Sequence, residues 1–201
     1  MIKCVFFDLG NVLVKVDKGA AIRQFTALTG LSADQLTTPE IGQVEIEFEK
    51  GRLTTEAYLR RIRQVLEIQK PLAAERLLSI WQAAFELQAD VWRLAQNIRR
   101  TVPIWLLSNT NALHIRAIRA KYAILEQLDG LVLSYEVQAL KPEPRIYLAA
   151  LKQAAVAPEE TIFIDDLPEN VAGAAALGIH AHQFIDVATL SNYLRGYHLN
   201  A

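Results

Sequence analysis

The 201-residue chain has an almost balanced charge and an apolar composition. It contains 21 Lys and Arg residues and 22 Asp and Glu residues, and 52% of its residues are hydrophobic. This is enough to bury one core and a small accessory unit, which excludes a disordered chain. A net charge of -1 provides no basic surface for nucleic acid or an anionic membrane. We therefore expect a small metabolite as the partner.

The start of the sequence shows neither a disulfide framework nor an export signal. Cys4 is the single cysteine, and Asp8 interrupts the apolar run after Met1 within a few residues. That run is too short for a membrane span and is not organised like a signal peptide. These features favour a cytoplasmic protein in which Cys4 is a small core residue.

Five short apolar runs predict buried strands. In chain order they cover residues 4–7, 102–107, 131–133, 161–164 and 179–184. Helical patterns lie between the later runs, and they cover residues 111–121, 143–153 and 167–177. Such an alternation of strands and helices predicts an α/β core, with a parallel sheet covered by helices.

The segment between the first two predicted strands has helical periodicity and no convincing strand. We predict that residues 17–86 form a helical cap, inserted into a discontinuous α/β core of residues 1–16 and 87–201. Its helix-start and helix-end signals are a capping box at Ser32 and Gln35, Thr38-Pro39, Gly51, and Thr54 or Thr55.

Several predicted strands lead into polar residues that can do chemistry. These residues are Asp8 after the first strand, Ser108 and Asn109 after the second, Lys141 beyond the third, and Asp165-Asp166 after the fourth. Ligands bind at the carboxyl edge of a parallel sheet, so we expect the residues to meet at one site. A strand-end Asp taken alone is often only a turn residue.

This set of residues predicts phosphoryl transfer with Mg²⁺. Neighbouring carboxylates repel one another unless a proton or a cation intervenes, and oxygen ligands suit Mg²⁺. If Asp8 and Asp166 hold the metal, one oxygen of Asp8 remains free to attack phosphorus. Lys141 and the Ser108 hydroxyl would then stabilise charge on the phosphoryl oxygens. The alternative for Lys141 is an exposed residue at a helix start.

The motifs resemble those of the haloacid dehalogenase (HAD) superfamily in order and approximate spacing. The similar segments are Asp8-Leu9-Gly10-Asn11-Val12, Ser108, Lys141, and Asp165-Asp166-Leu167-Pro168-Glu169-Asn170. The resemblance implies a Rossmann-like parallel sheet with a small helical cap, as in the type I members. Within the superfamily, the first motif and the run Leu107-Ser108-Asn109-Thr110-Asn111 are most similar to bacterial sugar-phosphate phosphatases that act on glucose 1-phosphate.

The resemblance also implies roles for individual residues. Asp8 would form an aspartyl-phosphate, and Mg²⁺ would be held by Asp8, the Gly10 carbonyl and Asp166. Asp165 would support a metal-bound water or the Lys141 ammonium. The residues expected to bind the substrate phosphate are Ser108, Asn109 and Lys141. A small phosphorylated metabolite is the implied substrate.

The chain departs from the family pattern at Gly10, where members of the family usually carry a second Asp that acts as general acid and base. The loss of such a group typically costs about 10² to 10⁴ in rate. Asp17 is the nearest downstream carboxylate that could replace it, and the alternative, which we favour, is that Asp17 merely begins the cap. Water and His114 are the other candidates.

Three other functions share parts of this pattern. A haloacid dehalogenase has the same nucleophile but needs no metal, and the Asp165-Asp166 pair argues against it. A signalling receiver domain gathers similar residues, but its acidic pair follows the first strand and it has no helical insert. A catalytically weak protein that binds a phosphorylated ligand remains open because of Gly10. The substrate and the oligomeric state remain open as well.

Overall fold

The computed structural model describes residues 1–199, which form two sheets and eleven α-helices. The strands are β1 (Cys4–Phe7), β2 (Val14–Val16), β3 (Phe85–Leu87), β4 (Ile104–Ser108), β5 (Gly130–Leu133), β6 (Thr161–Asp165) and β7 (His180–Gln183). The helices are α1 (Lys18–Thr29), α2 (Ala33–Leu36), α3 (Pro39–Glu49), α4 (Thr55–Val65), α5 (Ala74–Ala84), α6 (Ala89–Arg99), α7 (Ala112–Lys121), α8 (Ser134–Val137), α9 (Pro144–Ala154), α10 (Pro168–Ala175) and α11 (Val187–Arg195).

The larger sheet is parallel throughout and confirms the predicted α/β core. Its strand order is β5-β4-β1-β6-β7, so β1 lies at the centre between β4 and β6. All four residues of β1 are buried, because helices cover both faces of the sheet. Alternate residues of the strands feed two apolar clusters, with Phe7 on one face and Phe6 on the other. The carboxyl ends of β1, β4 and β6 therefore meet at one edge.

The five predicted strands correspond to β1, β4, β5, β6 and β7, with ends that differ by two residues at most. The sequence interpretation missed β2 and β3, which pair in antiparallel fashion as a separate two-stranded sheet. Each has three residues, which is too short for a periodic pattern to be recognised. The predicted boundary between residues 86 and 87 falls inside β3. This small sheet connects the α/β core to the helical insert, which lies between its two strands.

Helices α1 to α5 lie between β2 and β3, and their local signals are those expected from the sequence. Ser32 and Gln35 form the capping box of α2. Thr38 caps α3, and Gly51 follows α3 with a φ of 66°. Thr54 caps α4. Polar side chains thus satisfy the first amide groups of these helices.

The helical insert has an apolar core of its own and shares part of it with the α/β core. Phe48 of α3 stacks on Tyr58 of α4 with ring centroids 4.2 Å apart. Their cluster includes Leu77 of α5 and also Leu113 of the core helix α7. Among residues 1–199, no helix is long and apolar enough to cross a membrane.

Candidate active site

The edge of the large sheet brings three charged side chains into contact. Asp8 follows β1, Asp165 ends β6, and Lys141 lies between α8 and α9. The Lys141 Nζ lies 2.7 Å from Asp8 Oδ1 and 2.6 Å from Asp165 Oδ2, and it donates to the Leu107 carbonyl at 3.0 Å. Only 4% of Lys141 is exposed and Asp165 is fully buried. Lys141 is therefore not an exposed helix-start residue, because a buried ammonium needs such partners.

Burial and charge have opposing effects on these groups. Burial raises the pKa of Asp8 to about 6, although the Lys141 charge lowers it, and Asp165 adds to the increase. Burial alone would lower the pKa of Lys141, but the charges of Asp8 and Asp165 outweigh it and raise this pKa above its usual value. The two carboxylates thus favour the charged form of Lys141, whereas burial and Asp165 disfavour the charged form of Asp8.

Three carboxylates provide the elements of a metal site. Asp8, Asp165 and Asp166 each have an oxygen within 4.8 Å of those of the other two. The single ammonium of Lys141 does not balance the negative charge of three carboxylates. A divalent cation would balance the remainder. The donors are all hard oxygen atoms, so these residues fit Mg²⁺.

Two asparagines that sequence reasoning left without a role orient the acidic side chains. The Asn11 Nδ2 donates to Asp166 Oδ2 at 3.1 Å. The Asn170 Nδ2 donates to both oxygens of Asp165, at 3.0 and 3.1 Å. Asn11 has a φ of 55°, a left-handed conformation that Asn adopts more readily than most residues. Both lie inside the first and fourth motif-like segments, which was the signal available for finding them.

Ser108 and Asn109 lie at the same edge of the sheet but differ in the hydrogen bonds that they form. Ser108 is 2% exposed, and its Oγ lies 3.4 Å from the Asn109 carbonyl. The Asn109 side chain forms two hydrogen bonds with the Lys141 backbone: it accepts from the amide at 2.7 Å and donates to the carbonyl at 3.0 Å. Asn109 thus fixes the position of the Lys141 backbone. The sequence had predicted only that Asn109 binds the substrate.

The loop after β1 turns sharply around Gly10. The Val14 amide donates to the Leu9 carbonyl at 2.8 Å, and the Asn11 amide donates to the Val14 carbonyl at 2.6 Å. The Gly10 carbonyl takes no part in either bond. A Cβ at Gly10 would lie 3.6 Å from Val16 Cγ2, an ordinary contact, so space alone does not require a glycine there.

The two proposed substitutes for the missing acid lie in different environments. Asp17 is the N-cap of α1: it accepts from the Ala20 amide at 2.7 Å and lies 3.7 Å from Arg23. The His114 ring packs against Trp81, with centroids 4.2 Å apart. Burial, with a contribution from a nearby lysine, lowers the pKa of His114 to about 3. His114 is consequently neutral at physiological pH and is poorly suited to donate a proton.

Comparison with known protein families identifies this arrangement. A family model described as haloacid dehalogenase-like hydrolase matches residues 2–178. The chain belongs to this family. The matched range contains every site residue described above, together with the helical insert. The family indicated by the four motif-like segments is thereby confirmed, and this HAD-like chain is a hydrolase.

The HAD-like hydrolase is similar to its relatives over nearly its full length. It is 28% identical, over 193 residues, to a protein named D-ribitol-5-phosphate phosphatase from Bacteroides thetaiotaomicron, which covers 91% of this chain and 92% of the relative. A crystal structure of a HAD family enzyme from that species matches with a TM-score of 0.85 and 26% identity, covering 96% and 98% of the two chains. A structure of the same enzyme in complex with magnesium and inorganic phosphate matches with a TM-score of 0.81 and 26% identity, covering 94% and 99%.

Proposed function

We propose that this hydrolase is a magnesium-dependent phosphatase that removes the phosphoryl group from a small phosphorylated metabolite through an aspartyl-phosphate on Asp8. One observation carries the proposal: the carboxylates of Asp8, Asp165 and Asp166 converge around the buried Lys141 at the carboxyl edge of the sheet. The related enzyme that was solved with magnesium and phosphate supports it.

Each residue at this edge of the sheet has a different role. Asp8 attacks phosphorus, while Lys141 and the Ser108 hydroxyl stabilise charge on the phosphoryl oxygens. Mg²⁺, held by Asp8, the Gly10 carbonyl and Asp166, would supply charge neutralisation at the phosphoryl group. Asp165 keeps Lys141 charged and in place.

The position of Asp166 favours a phosphatase over a dehalogenase. A dehalogenase attacks carbon and gains nothing from a cation beside its nucleophile. Here a third carboxylate lies beside Asp8 and Asp165, and Asn11 holds it through a hydrogen bond of 3.1 Å. A carboxylate kept close to two others is costly without a cation to offset the repulsion.

Gly10 has no side chain that could protonate the leaving oxygen, so another group has to do so. We propose Asp17 as the candidate to test, since its contact with Arg23 is long and its side chain is solvent-exposed. Asp17→Asn keeps the ability to cap α1 but cannot donate a proton. A greater loss with a sugar phosphate than with an activated aryl phosphate would assign proton transfer to Asp17. Equal rates for variant and parent on both substrates would leave it only as a helix cap.

The cellular setting that we propose is the cytoplasm. Cys4 is 1% exposed, and burial, with a smaller contribution from Asp129, raises the pKa of its thiol to about 12. Such a thiol is unreactive and acts as a small core hydrophobe. With no other cysteine in the sequence, Cys4 forms no internal disulfide of the kind that oxidising compartments favour.

A screen for phosphate release tests the proposed function. Sugar and polyol phosphates are the first compounds to include, given the similarity to a D-ribitol-5-phosphate phosphatase. We expect release with Mg²⁺ and none with EDTA, and we expect Asp8→Asn to lose at least about 10³ in kcat. Release that EDTA does not affect, or activity of Asp8→Asn within tenfold of the parent, would contradict the proposal.

A further inference from the structure

The helical insert surrounds a cavity that no part of the proposed chemistry uses. Its volume is about 330 Å³, and its walls come from α1 to α5 and from the core helix α7. This volume is within the range of small-molecule sites. Most residues around it are hydrophobic. They include Ile22, Phe25, Ile41, Ile62, Ile80 and Trp81.

Six of the sixteen residues around the cavity are polar or charged, and two of them are carboxylates. Glu45 and Glu49 lie one turn apart on α3 and both face the cavity, and Glu45 accepts a hydrogen bond from the Tyr58 hydroxyl. Lys18 of α1 and His114 of α7 also line it. The cavity therefore combines an apolar wall with a polar region.

The polar region reaches the catalytic end of β4 through His114. Burial, followed by the charge of Glu45, raises the pKa of Glu49 to about 7, and the charges of Asp8 and Lys141 also act on it. His114 is in the first turn of α7 and its backbone amide donates to Asn111, in the loop that leaves the catalytic end of β4. The apolar wall extends from there into the insert.

The C-terminal end of α3 contacts the α/β core beside the polar region of the cavity. Lys50 Nζ lies 2.7 Å from Glu143 Oε1, just before α9. A Cβ at Gly51 would collide with the Tyr135 carbonyl of α8, which shows how closely the two backbones approach. The end of α3, whose Glu45 and Glu49 line the cavity, thus lies next to the segment that carries Lys141.

We propose that this cavity receives the leaving alcohol of the substrate, and that this alcohol has an apolar body with its polar groups close to the phosphate. The inference rests on the proposed phosphatase function and narrows its substrate class to phosphate monoesters of alkyl or arylalkyl alcohols. Hydroxyl groups along a polyol would lose their water against the walls formed by Phe25, Ile62 and Ile80 without gaining partners. Methylene groups in the same place gain free energy from burial.

Chain length and polarity of the leaving group test the proposal. Phosphate release is measured from propyl, butyl, pentyl and hexyl phosphate and from sorbitol 6-phosphate, which has six carbons like the hexyl ester. We expect kcat/KM to increase along the alkyl series by up to about fourfold per methylene. Hexyl phosphate should exceed sorbitol 6-phosphate at least tenfold. A flat series, or a preference for sorbitol 6-phosphate, would overturn the proposal.

A pair of matched variants locates the effect. Ile22→Gln makes the cavity wall polar, whereas Ile46→Gln makes the same change on the exposed face of α3, where Ile46 is 40% exposed. We expect Ile22→Gln to reduce the hexyl preference at least threefold and Ile46→Gln to leave it unchanged. Equal preferences in both variants would place the selectivity elsewhere and reject the cavity.

A binding measurement separates this inference from the proposed function. Trp81 lines the cavity, so its fluorescence should report occupancy by 1-hexanol, which carries no phosphate. We expect a saturable change that disappears in Trp81→Phe and that an equal concentration of glycerol does not produce. That change without any phosphatase activity would remove the proposed function but keep the apolar site. No change with hexanol, beside normal phosphate release, would remove the site alone.

Discussion

The buried Lys141 offers the sharpest test of how the charged cluster is stabilised. Lys141→Met keeps a long side chain but removes the ammonium that lies between Asp8 and Asp165 at 2.7 and 2.6 Å. It also removes the donor to the Leu107 carbonyl. Two buried carboxylates then face each other without a cation. Breaking a buried pair in this way costs about 3–5 kcal/mol, a large part of the roughly 5–15 kcal/mol that stabilises a typical domain.

The pH dependence of that loss follows from the sign of the Asp8 shift. The pKa of Asp8 is already raised to about 6 with Lys141 present, and loss of the ammonium raises it further. A carboxyl whose folded pKa exceeds its unfolded value destabilises the protein at high pH, and the penalty falls as the pH drops through the folded pKa. The difference in unfolding free energy between parent and Lys141→Met should therefore shrink from pH 8 to pH 5.

Urea unfolding in EDTA, followed by far-UV circular dichroism, measures both quantities. Lys152→Met is the matched control, since Lys152 is exposed on α9, and it should change the unfolding free energy by no more than about 0.5 kcal/mol. A loss below about 1 kcal/mol in Lys141→Met, equal at pH 5 and pH 8, would refute the account of a buried cluster held by one cation.

Other predictions address the surroundings of the site. For His114, whose pKa is lowered to about 3, the unfolded state takes up a proton below about pH 6.5 and the folded state does not. The parent should therefore lose about 2 kcal/mol relative to His114→Phe between pH 7 and pH 5; a constant difference in urea titrations would contradict this. Asn11→Ala removes the bond to Asp166 and should weaken Mg²⁺ binding about 10- to 100-fold in calorimetry, with unchanged affinity as the contrary result. Gly51→Ala places a Cβ against the Tyr135 carbonyl at a positive φ and should lower the unfolding free energy by about 1–3 kcal/mol; an unaltered urea midpoint would show that this contact is dispensable.

The core of the fold and the catalytic edge were predictable because both rest on strong local patterns. The five strands of the parallel sheet are buried apolar runs, and Asp8 and Asp165 mark the strand ends where ligands bind. The two short strands β2 and β3 were missed, since three residues carry no period. The five helices of the insert separate them in sequence.

The supporting contacts could not be predicted because they join distant segments. Asn11 contacts Asp166, 155 residues away, and the Asn109 side chain meets the backbone of Lys141, 32 residues away. Sequence spacing indicates which residues share an edge but not which of them form hydrogen bonds. The cavity of the insert was equally invisible, because the inward direction of residues such as Ile22 depends on how five short helices pack.

The most direct test of the central claim is to trap the covalent intermediate on Asp8. The enzyme is mixed with excess substrate and Mg²⁺, quenched in acid within a single turnover, and digested for peptide mass spectrometry. We expect that the peptide containing Asp8 gains one phosphoryl group, that the gain disappears after the substrate is exhausted, and that Asp8→Asn shows none. Turnover with the phosphoryl group on another residue would contradict the account.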